Sequence, residues 1–514
     1  MSTPDEQRRS FSSRTPDNEN PDRVNYRRGF VTRHQVTGWR FVMRRIASGV
    51  ALHDTRMLVD PLRTQSRSVL VGALILVTGL IGCFLFSLIR PSGAAGTDAV
   101  LADRDTAALY VRLGEQLHPV LNLASARLIT GRPDNPTMVK SSELDRLARG
   151  NMIGIPGAPE RMVATTSRDA YWTVCDAATG AATGVTLIAG APADGGERAA
   201  VLPAGTAVLV ENGGRTWLLW DGKRSAVDLA DRAVTSGLGI GADVAAPQPI
   251  SDGLFNAIPE APALVTPVIA DAGQPSAAAL PEPLPVGAVV VSYDTDTALR
   301  HYVVLADGVQ PISPVVAAIL RNTNSYGLAQ PPRLDADVVA RIPQVTGVDS
   351  AAYPSERVTL VDLAARPVVC STWAQPEGAR ESSVTLRSGA MLPIAEDVHT
   401  VKLVSSGVPG GPADRVALPP GSGYFVDSGG SLFWISDTGV RYGIETGPET
   451  GTGGTDSVAA LGLTTAPLPI PWSVLSQFAA GPTLSRADAL LAHDSLAPNP
   501  APARVETTSA LEGP

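Results

Sequence analysis

The chain has 514 residues, 44% of them apolar and 18% charged, with 41 basic against 50 acidic side chains and three cysteines. Such a composition suits ordered globular structure, and the length exceeds what one hydrophobic core organises. Charge is unevenly placed: residues 1–90 hold 14 basic and 7 acidic groups, leaving 27 basic and 43 acidic in the other 424, a balance that excludes nucleic acid as a bulk-charge partner of the larger part.

Residues 1–22 are polar, with Pro4, Pro16 and Pro21, and read as a disordered tail. A basic segment follows over 23–66. Thr32-Arg33-His34-Gln35 has the form of a capping box, in which the Thr32 hydroxyl accepts from the Gln35 amide and Gln35 reaches back. From there Val36, Trp39, Met43, Ile46 and Val50 recur at three- and four-residue steps and predict a helix with an apolar stripe. Arg33, Arg40, Arg44 and Arg45 surround that stripe. It either lies on an anionic membrane surface or docks on a cytoplasmic partner, with Val36, Trp39, Met43 and Ile46 as the docking residues. Pro61 is expected to interrupt this helix.

Residues 69–89, VLVGALILVTGLIGCFLFSLI, run without a charge between Arg67 and Arg90. A helix of that length reaches roughly 32 Å, enough to cross a hydrocarbon core, so 67–90 is the expected transmembrane segment. The run starts too late and extends too far for a signal peptide, and it lacks a convincing small-residue cleavage site. Residues 23–67 carry ten Arg against two Asp, whereas 91–110 hold Arg104 with Asp98, Asp103 and Asp105. The positive-inside rule then places the N-terminus in the cytoplasm and the bulk of the chain beyond the membrane.

Beyond the span the sequence repeats itself. Leu202-Pro203-Ala204-Gly205 leads through Val208-Leu209-Val210 to Trp217-Leu218-Leu219-Trp220-Asp221-Gly222. Leu284-Pro285-Val286-Gly287 leads likewise to Tyr302-Val303-Val304-Leu305-Ala306-Asp307-Gly308, and Leu418-Pro419-Pro420-Gly421 to Leu432-Phe433-Trp434-Ile435-Ser436-Asp437-Thr438-Gly439. Each predicts a β-hairpin followed by a third, shorter strand. A fainter copy includes Tyr110-Val111-Arg112-Leu113. The endings match too: Leu238-Gly239-Ile240 with Pro249-Ile250 and Leu264 correspond to Leu461-Gly462-Leu463 with Pro469-Ile470 and Leu484. Two segments fit no repeat, and each holds a cysteine followed by a β-branched strand, Val185-Thr186-Leu187 or Val384-Thr385-Leu386. The expected fold is therefore mainly β with short helices (α+β): four repeats around a split central β-domain. A linker and repeat 1 occupy 91–162, the first central part 163–200, repeat 2 201–283 and repeat 3 284–355. The second central part is 356–405, repeat 4 is 406–494, and 495–514 form a second disordered tail.

Cys83 lies in the span, where it serves as a small apolar residue. Cys175 and Cys370 lie beyond the membrane, where an oxidising compartment favours a disulfide over two free buried thiols. No catalytic, cofactor-binding or metal-binding signature stands out. Gly222-Lys223-Arg224-Ser225 lacks the earlier glycine and the Ser/Thr directly after Lys that a phosphate-binding loop needs. There is no G-x-S-x-G, H-E-x-x-H or C-x-x-C motif. His34, His53, His118, His301, His399 and His493 are scattered, and Asp221-Gly222 and Asp307-Gly308 read as turn chemistry.

In this order the parts resemble EccB, the single-pass core subunit of the type VII (ESX) secretion machinery. The resemblance rests on Arg33-His34-Gln35-Val36-Thr37-Gly38-Trp39, on Cys175 with Cys370, and on Pro469-Ile470-Pro471 with Gly481-Pro482. Tyr26-Arg27-Arg28-Gly29-Phe30 through Asp60-Pro61-Leu62-Arg63 is similar to the EccB of the third ESX system, tied to iron and zinc acquisition. The resemblance implies an inner-membrane complex with EccC, EccD and EccE, pairing with another EccB, and a cytoplasmic helix near EccC and EccD. It also implies an ATPase activity, hence ATP as a ligand, for which the sequence offers no phosphate-cradling loop. The repeats are similar to a phage-lysin wall-binding module, which implies peptidoglycan contact.

Overall fold

The computed structural model describes residues 32–53, 61–89, 95–180, 183–293, 298–406, 411–446 and 456–496. The expected tail 1–22, most of the tail 495–514, the Tyr26–Phe30 motif and Asp60 lie outside them. The chain forms two compact units, Met1–Ser92 and Gly93–Pro514.

In the first unit α1 spans Arg33–Leu52. Its capping box is formed: the Thr32 N–H donates to Gln35 Oε1 at 2.9 Å and the Gln35 N–H to Thr32 Oγ1 at 3.4 Å. The helix ends at His53, whose φ of 50° is left-handed. Pro61 is not its breaker. It is the first residue of α2, Pro61–Ile89, because a residue without an N–H and with φ fixed near the helical value suits a helix start.

The second unit builds each repeat from the same three strands. Repeat 1 has β1 (Val100–Asp103), β2 (Leu109–Leu113) and β3 (Gln116–Pro119), then helix α3 (Leu123–Thr130). The chain next lays down a long central hairpin, β4 (Ala170–Ala177) and β5 (Gly184–Ala189), and a short strand β6 (Ala200–Val201). Repeat 2 comprises β7 (Thr206–Asn212), β8 (Arg215–Trp220), β9 (Lys223–Ala226) and helices α4 (Arg232–Leu238) and α5 (Asp252–Asn256). Repeat 3 follows with β10 (Val289–Tyr293), β11 (Leu299–Val304), β12 (Val309–Ile312) and α6 (Pro314–Thr323). The second central hairpin is β13 (Val368–Gln375) and β14 (Ser383–Gly389), joined by β15 (Thr400–Lys402) and β16 (Arg415–Ala417). Repeat 4 closes with β17 (Tyr424–Ser428), β18 (Ser431–Ile435), β19 (Val440–Ile444), α7 (Ser457–Leu461) and α8 (Trp472–Leu475).

The central sheet has seven strands in the order β15-β16-β5-β4-β13-β14-β6. Its boundaries in sequence are less clean than the repeat pattern suggests. β16 comes from within 406–494, where repeat 4 was expected to begin, because it pairs in parallel with β5. Conversely Thr359–Leu360, expected in the centre, pairs with β7 of repeat 2.

Repeats 2 and 4 close alike. Asp231 and Asp456 cap α4 and α7, and Gly239 and Gly462 end them at φ 89° and 79°. Gln248–Pro249 then pairs in parallel with β7, and Leu468–Pro469 with β17. Polar residues on the third strand tie down the returning chain. Arg224 Nη1 donates to the carbonyls of Phe255 (2.8 Å) and Ile258, and Arg441 Nε to that of Phe478 (3.3 Å). In repeat 3 Gln310 takes this place, accepting from the amides of Gly347 and Val348 at 2.7 and 2.9 Å.

Packing sets a clear order. One core joins a face of the central sheet (Trp172, Val174, Leu187) to repeat 2 (Val208, Trp217) and repeat 4 (Val426, Phe478). A second core joins repeats 2 and 3, where Gly237 of α4 lets Ile319 of α6 approach directly. A third joins repeats 1 and 4, across Ile129, Phe425, Trp434 and Leu461. Repeats 2 and 4 therefore flank the centre, and repeats 3 and 1 pack outside them.

Candidate functional site

On α1, Trp39 is 63% exposed, Ile46 56% and Met43 46%, while Val36 is half-buried. The four expected docking residues thus sit on a helix whose apolar stripe has no cover among the described residues. A stripe of this kind cannot remain in water without cost, so it is built for lipid or protein. α2 includes Arg67–Leu85, a stretch long and apolar enough to cross a membrane and not covered by protein. Cys83 is exposed on it.

In the second unit, Cys175 and Cys370 are joined by a disulfide. They face each other across the antiparallel β4–β13 pair, with Cα atoms 4.0 Å apart. The bond thus clasps the two central hairpins, which repeats 2 and 3 separate in sequence. Beside it Thr173 and Thr372 share a buried hydroxyl contact at 2.9 Å.

Lys223 opens β9 after the turn Asp221-Gly222, both at positive φ (45° and 72°), and its Nζ lies 3.8 Å from the centroid of the Trp220 ring. A phosphate-cradling lysine instead follows a loop that opens a helix. Lys223 lines a cleft of about 420 Å³ whose other charged lining residues are Asp221 and Glu356, a net negative lining that suits a triphosphate poorly.

Two histidines that the sequence gave no reason to gather converge on one short stretch. His118 Nδ1 lies 2.9 Å from the Asn151 carbonyl and His493 Nε2 2.9 Å from that of Gly154. Since a carbonyl only accepts, each of these nitrogens carries a proton. His493, with the pairing of Ala492–His493 to Met152–Ile153, fastens the chain's last described strand to repeat 1, while His118 ties β3 to Asn151 within that repeat. His301 is apart from them, and burial lowers its pKa. Among the described residues no three His, Cys, Asp or Glu side chains are grouped to hold a metal ion.

Residues 28–498 match the family described as "Type VII secretion system ESX-1, transport TM domain B". The chain belongs to the EccB family. It is 65% identical to "ESX-3 secretion system ATPase EccB3" of Mycolicibacterium smegmatis, covering 98% of both chains. It is 64% identical to the protein of that name from Mycobacterium tuberculosis, over 97% of this chain and 96% of the other. Among solved structures it resembles a chain of the intact ESX-5 inner membrane complex, with 37% identity, 94% and 99% coverage and a TM-score of 0.74. It also resembles the EccB3 dimer from the ESX-3 core complex, with 60% identity, 77% and 100% coverage and a TM-score of 0.69. An EccB chain is thus a core subunit of an ESX inner-membrane complex, and this chain carries a helix long and apolar enough to cross a membrane.

Proposed function

We propose that this chain is a membrane-anchored structural subunit of an ESX-3-type secretion complex, whose outer domain pairs with a second copy and sets the geometry of the assembly. The observation that carries this reading is the division of labour within the chain. An uncovered apolar stripe on α1 faces outward for partners, and the second unit spends its buried side chains on interlocking repeats. The relatives solved as an EccB3 dimer and within an intact ESX-5 inner membrane complex support it. The arginine excess before the span supports a cytoplasmic N-terminus and a periplasmic outer domain. EccC-, EccD- and EccE-type subunits are the expected partners, with α1 as the contact to the cytoplasmic ones.

The relatives' names include ATPase. The stacking of Lys223 on Trp220, in a cleft also lined by Asp221 and Glu356, supports a structural part for that lysine, and ATP is not proposed as a ligand there. Extraction of the tagged full chain in a mild detergent, followed by mass spectrometry of what co-elutes, tests the main reading. Co-elution of the other Ecc subunits and of an untagged copy is expected. A lone chain that is instead retained by purified peptidoglycan would replace the reading with wall anchoring.

A further inference from the structure

Cys175 and Cys370 belong to a row of side chains that crosses the central sheet on one face. Thr186 of β5 stands opposite Cys175, and Arg387 of β14 stands opposite Cys370. Cross-strand neighbours of this kind have Cβ atoms about 5 Å apart. Arg387 is only 8% exposed; its Nη1 donates to Asp194 Oδ1 at 2.7 Å and to the Ala199 carbonyl at 3.3 Å, and its Nε has no hydrogen-bond partner among the described residues. The two cysteines thus have unlike neighbours, a neutral hydroxyl for Cys175 and a buried cation for Cys370.

A two-part strap, residues 193–199 and 389–398, covers this row. The amides of Ala193 and Ala199 donate to Pro393 and Met391, and those of Ala390 and Met391 to Glu197. Arg198 Nε donates to the Ile394 carbonyl at 2.9 Å, and its guanidinium meets Glu396 at 3.6 Å. Leu392, Ile394 and Val398 pack into the apolar cluster that holds both cysteines, which are fully buried. The strap carries Asp194, the counter-charge of Arg387, the Arg198–Glu396 pair, and the exposed Glu197 and Asp397. Asp176, next along β4, accepts from the Ser251 amide on the opposite face, and Arg415, opposite Thr186, donates to the Thr183 carbonyl.

With the strap closed, no thiol or disulfide from outside reaches either sulfur. When it lifts, Asp194 leaves with it, and Arg387 is left beside Cys370 without its carboxylate. A cation next to a cysteine favours the thiolate, which is the form that attacks disulfides. We infer that the bond is made by an external disulfide carrier while the strap is open, with Cys370 as the attacking thiolate and Arg387 as the cation that holds it in that form. The Cys370 thiolate attacks one carrier sulfur and breaks the carrier's S–S bond, giving a mixed disulfide and a carrier thiolate. Cys175, losing its proton, then attacks the Cys370 sulfur, and the carrier departs as its second thiolate. The chain gives up two electrons and two protons, the carrier becomes a dithiol, and docking of the strap seals the product. This step goes beyond the assembly role and does not depend on which subunits the chain joins.

The test uses the full chain in detergent, with Cys83→Ser to silence the third thiol and Arg198→Ala to loosen the strap. Oxidised glutathione serves as the carrier, and mixed disulfide is read by intact mass across pH. The Cys175→Ser chain, which keeps Cys370, should react about tenfold faster than the Cys370→Ser chain, with a lower pH midpoint. Arg387→Gln should erase both differences and Arg387→Lys restore them. In urea the two chains should react alike, and restoring Arg198 should slow both by a common factor. Should Arg387→Gln not fold, Asp194→Asn in the Arg198 chain removes the counter-charge instead and should speed Cys370 alone. Equal rates and midpoints for the two cysteines, no response to Arg387→Gln or Asp194→Asn, or no effect of Arg198 would each overturn the inference.

Discussion

Cys175 and Cys370 are 195 residues apart, with repeats 2 and 3 strung between them. Closing a loop of that size removes entropy from the unfolded chain worth about 5 kcal/mol, an upper bound where residual structure persists. Replacing both by Ser is therefore expected to lower the stability of the outer domain by about 2–5 kcal/mol, read as a fall in its urea midpoint with a steeper slope, because the unlinked denatured chain exposes more surface. A midpoint that does not move would show the central hairpins to be held by packing alone. Arg224 offers a second test at this scale. The residue is 9% exposed and its guanidinium donates to the carbonyls of Phe255 and Ile258; the Phe255 carbonyl also accepts from the Ile258 amide, so Arg224→Ala leaves the Ile258 acceptor unpaired at a cost of about 1–3 kcal/mol. The partner carboxylate, Glu260, is 59% exposed and adds little. Glu260→Ala should accordingly shift the thermal midpoint far less than Arg224→Ala, and equal shifts would contradict this division. The cysteine pair was legible in the sequence because a lone external pair has one simple use. The arginine was not, since its acceptors are main-chain carbonyls 31 and 34 residues away and a carbonyl leaves no mark on the residue that bears it.

Helix α1 and the repeat hairpins were legible as elements because their signals are local. A Thr-x-x-Gln start and a three- and four-residue apolar period define the helix, and Asp-Gly between apolar runs defines the turn. What resisted reading were the strands whose membership is decided at a distance. Arg415–Ala417 completes the central sheet only because β5 offers it an edge. Pro61 reads as a breaker in sequence yet opens α2, because the same missing N–H that breaks a helix interior is harmless at a helix start. Two expectations belong to this scale. Replacing Trp39 and Met43 with Asp puts charge into the stripe of α1 while leaving α2 untouched. The altered chain should still insert but release its cytoplasmic subunits, by tenfold or more in yield, since a central aromatic dominates a small interface. Undiminished recovery of those subunits would make α1 a membrane-surface element only. The second concerns the hairpin turn at Asp221-Gly222. Lys223→Ala removes a cation–π contact worth about 0.5–1 kcal/mol. Any ATP turnover by the purified outer domain should be unchanged by it. Loss of a turnover that survives rigorous purification would instead place nucleotide chemistry in the cleft that Lys223 lines.

Across the whole chain, the two units have separate structural logic. The first consists of helices whose apolar faces have no cover within the described residues. The second is closed upon itself: repeat 2 is held to repeat 3 and repeat 4 to repeat 1, and both inner repeats are held to the disulfide-clasped sheet. The last described strand, Ala492–His493, returns to repeat 1 and so joins the end of the second unit to its beginning. A body closed in this way presents a fixed surface, which suits pairing between copies, since little conformational entropy is lost on association. Removing one unit should consequently remove one function and spare the other. A chain cut beyond residue 95 retains α1 and α2, and it should still bring down the cytoplasmic subunits while failing to pair with a second copy. A chain beginning near residue 66 keeps the span and the outer unit, and it should pair with its like while losing those subunits. Each variant would be purified from membranes beside an untagged full-length copy, with partners and copy number read by mass spectrometry. If the chain cut beyond residue 95 still recovered the untagged copy at full yield, pairing would have to be assigned to the helices, and the closed architecture of the outer unit would need another use.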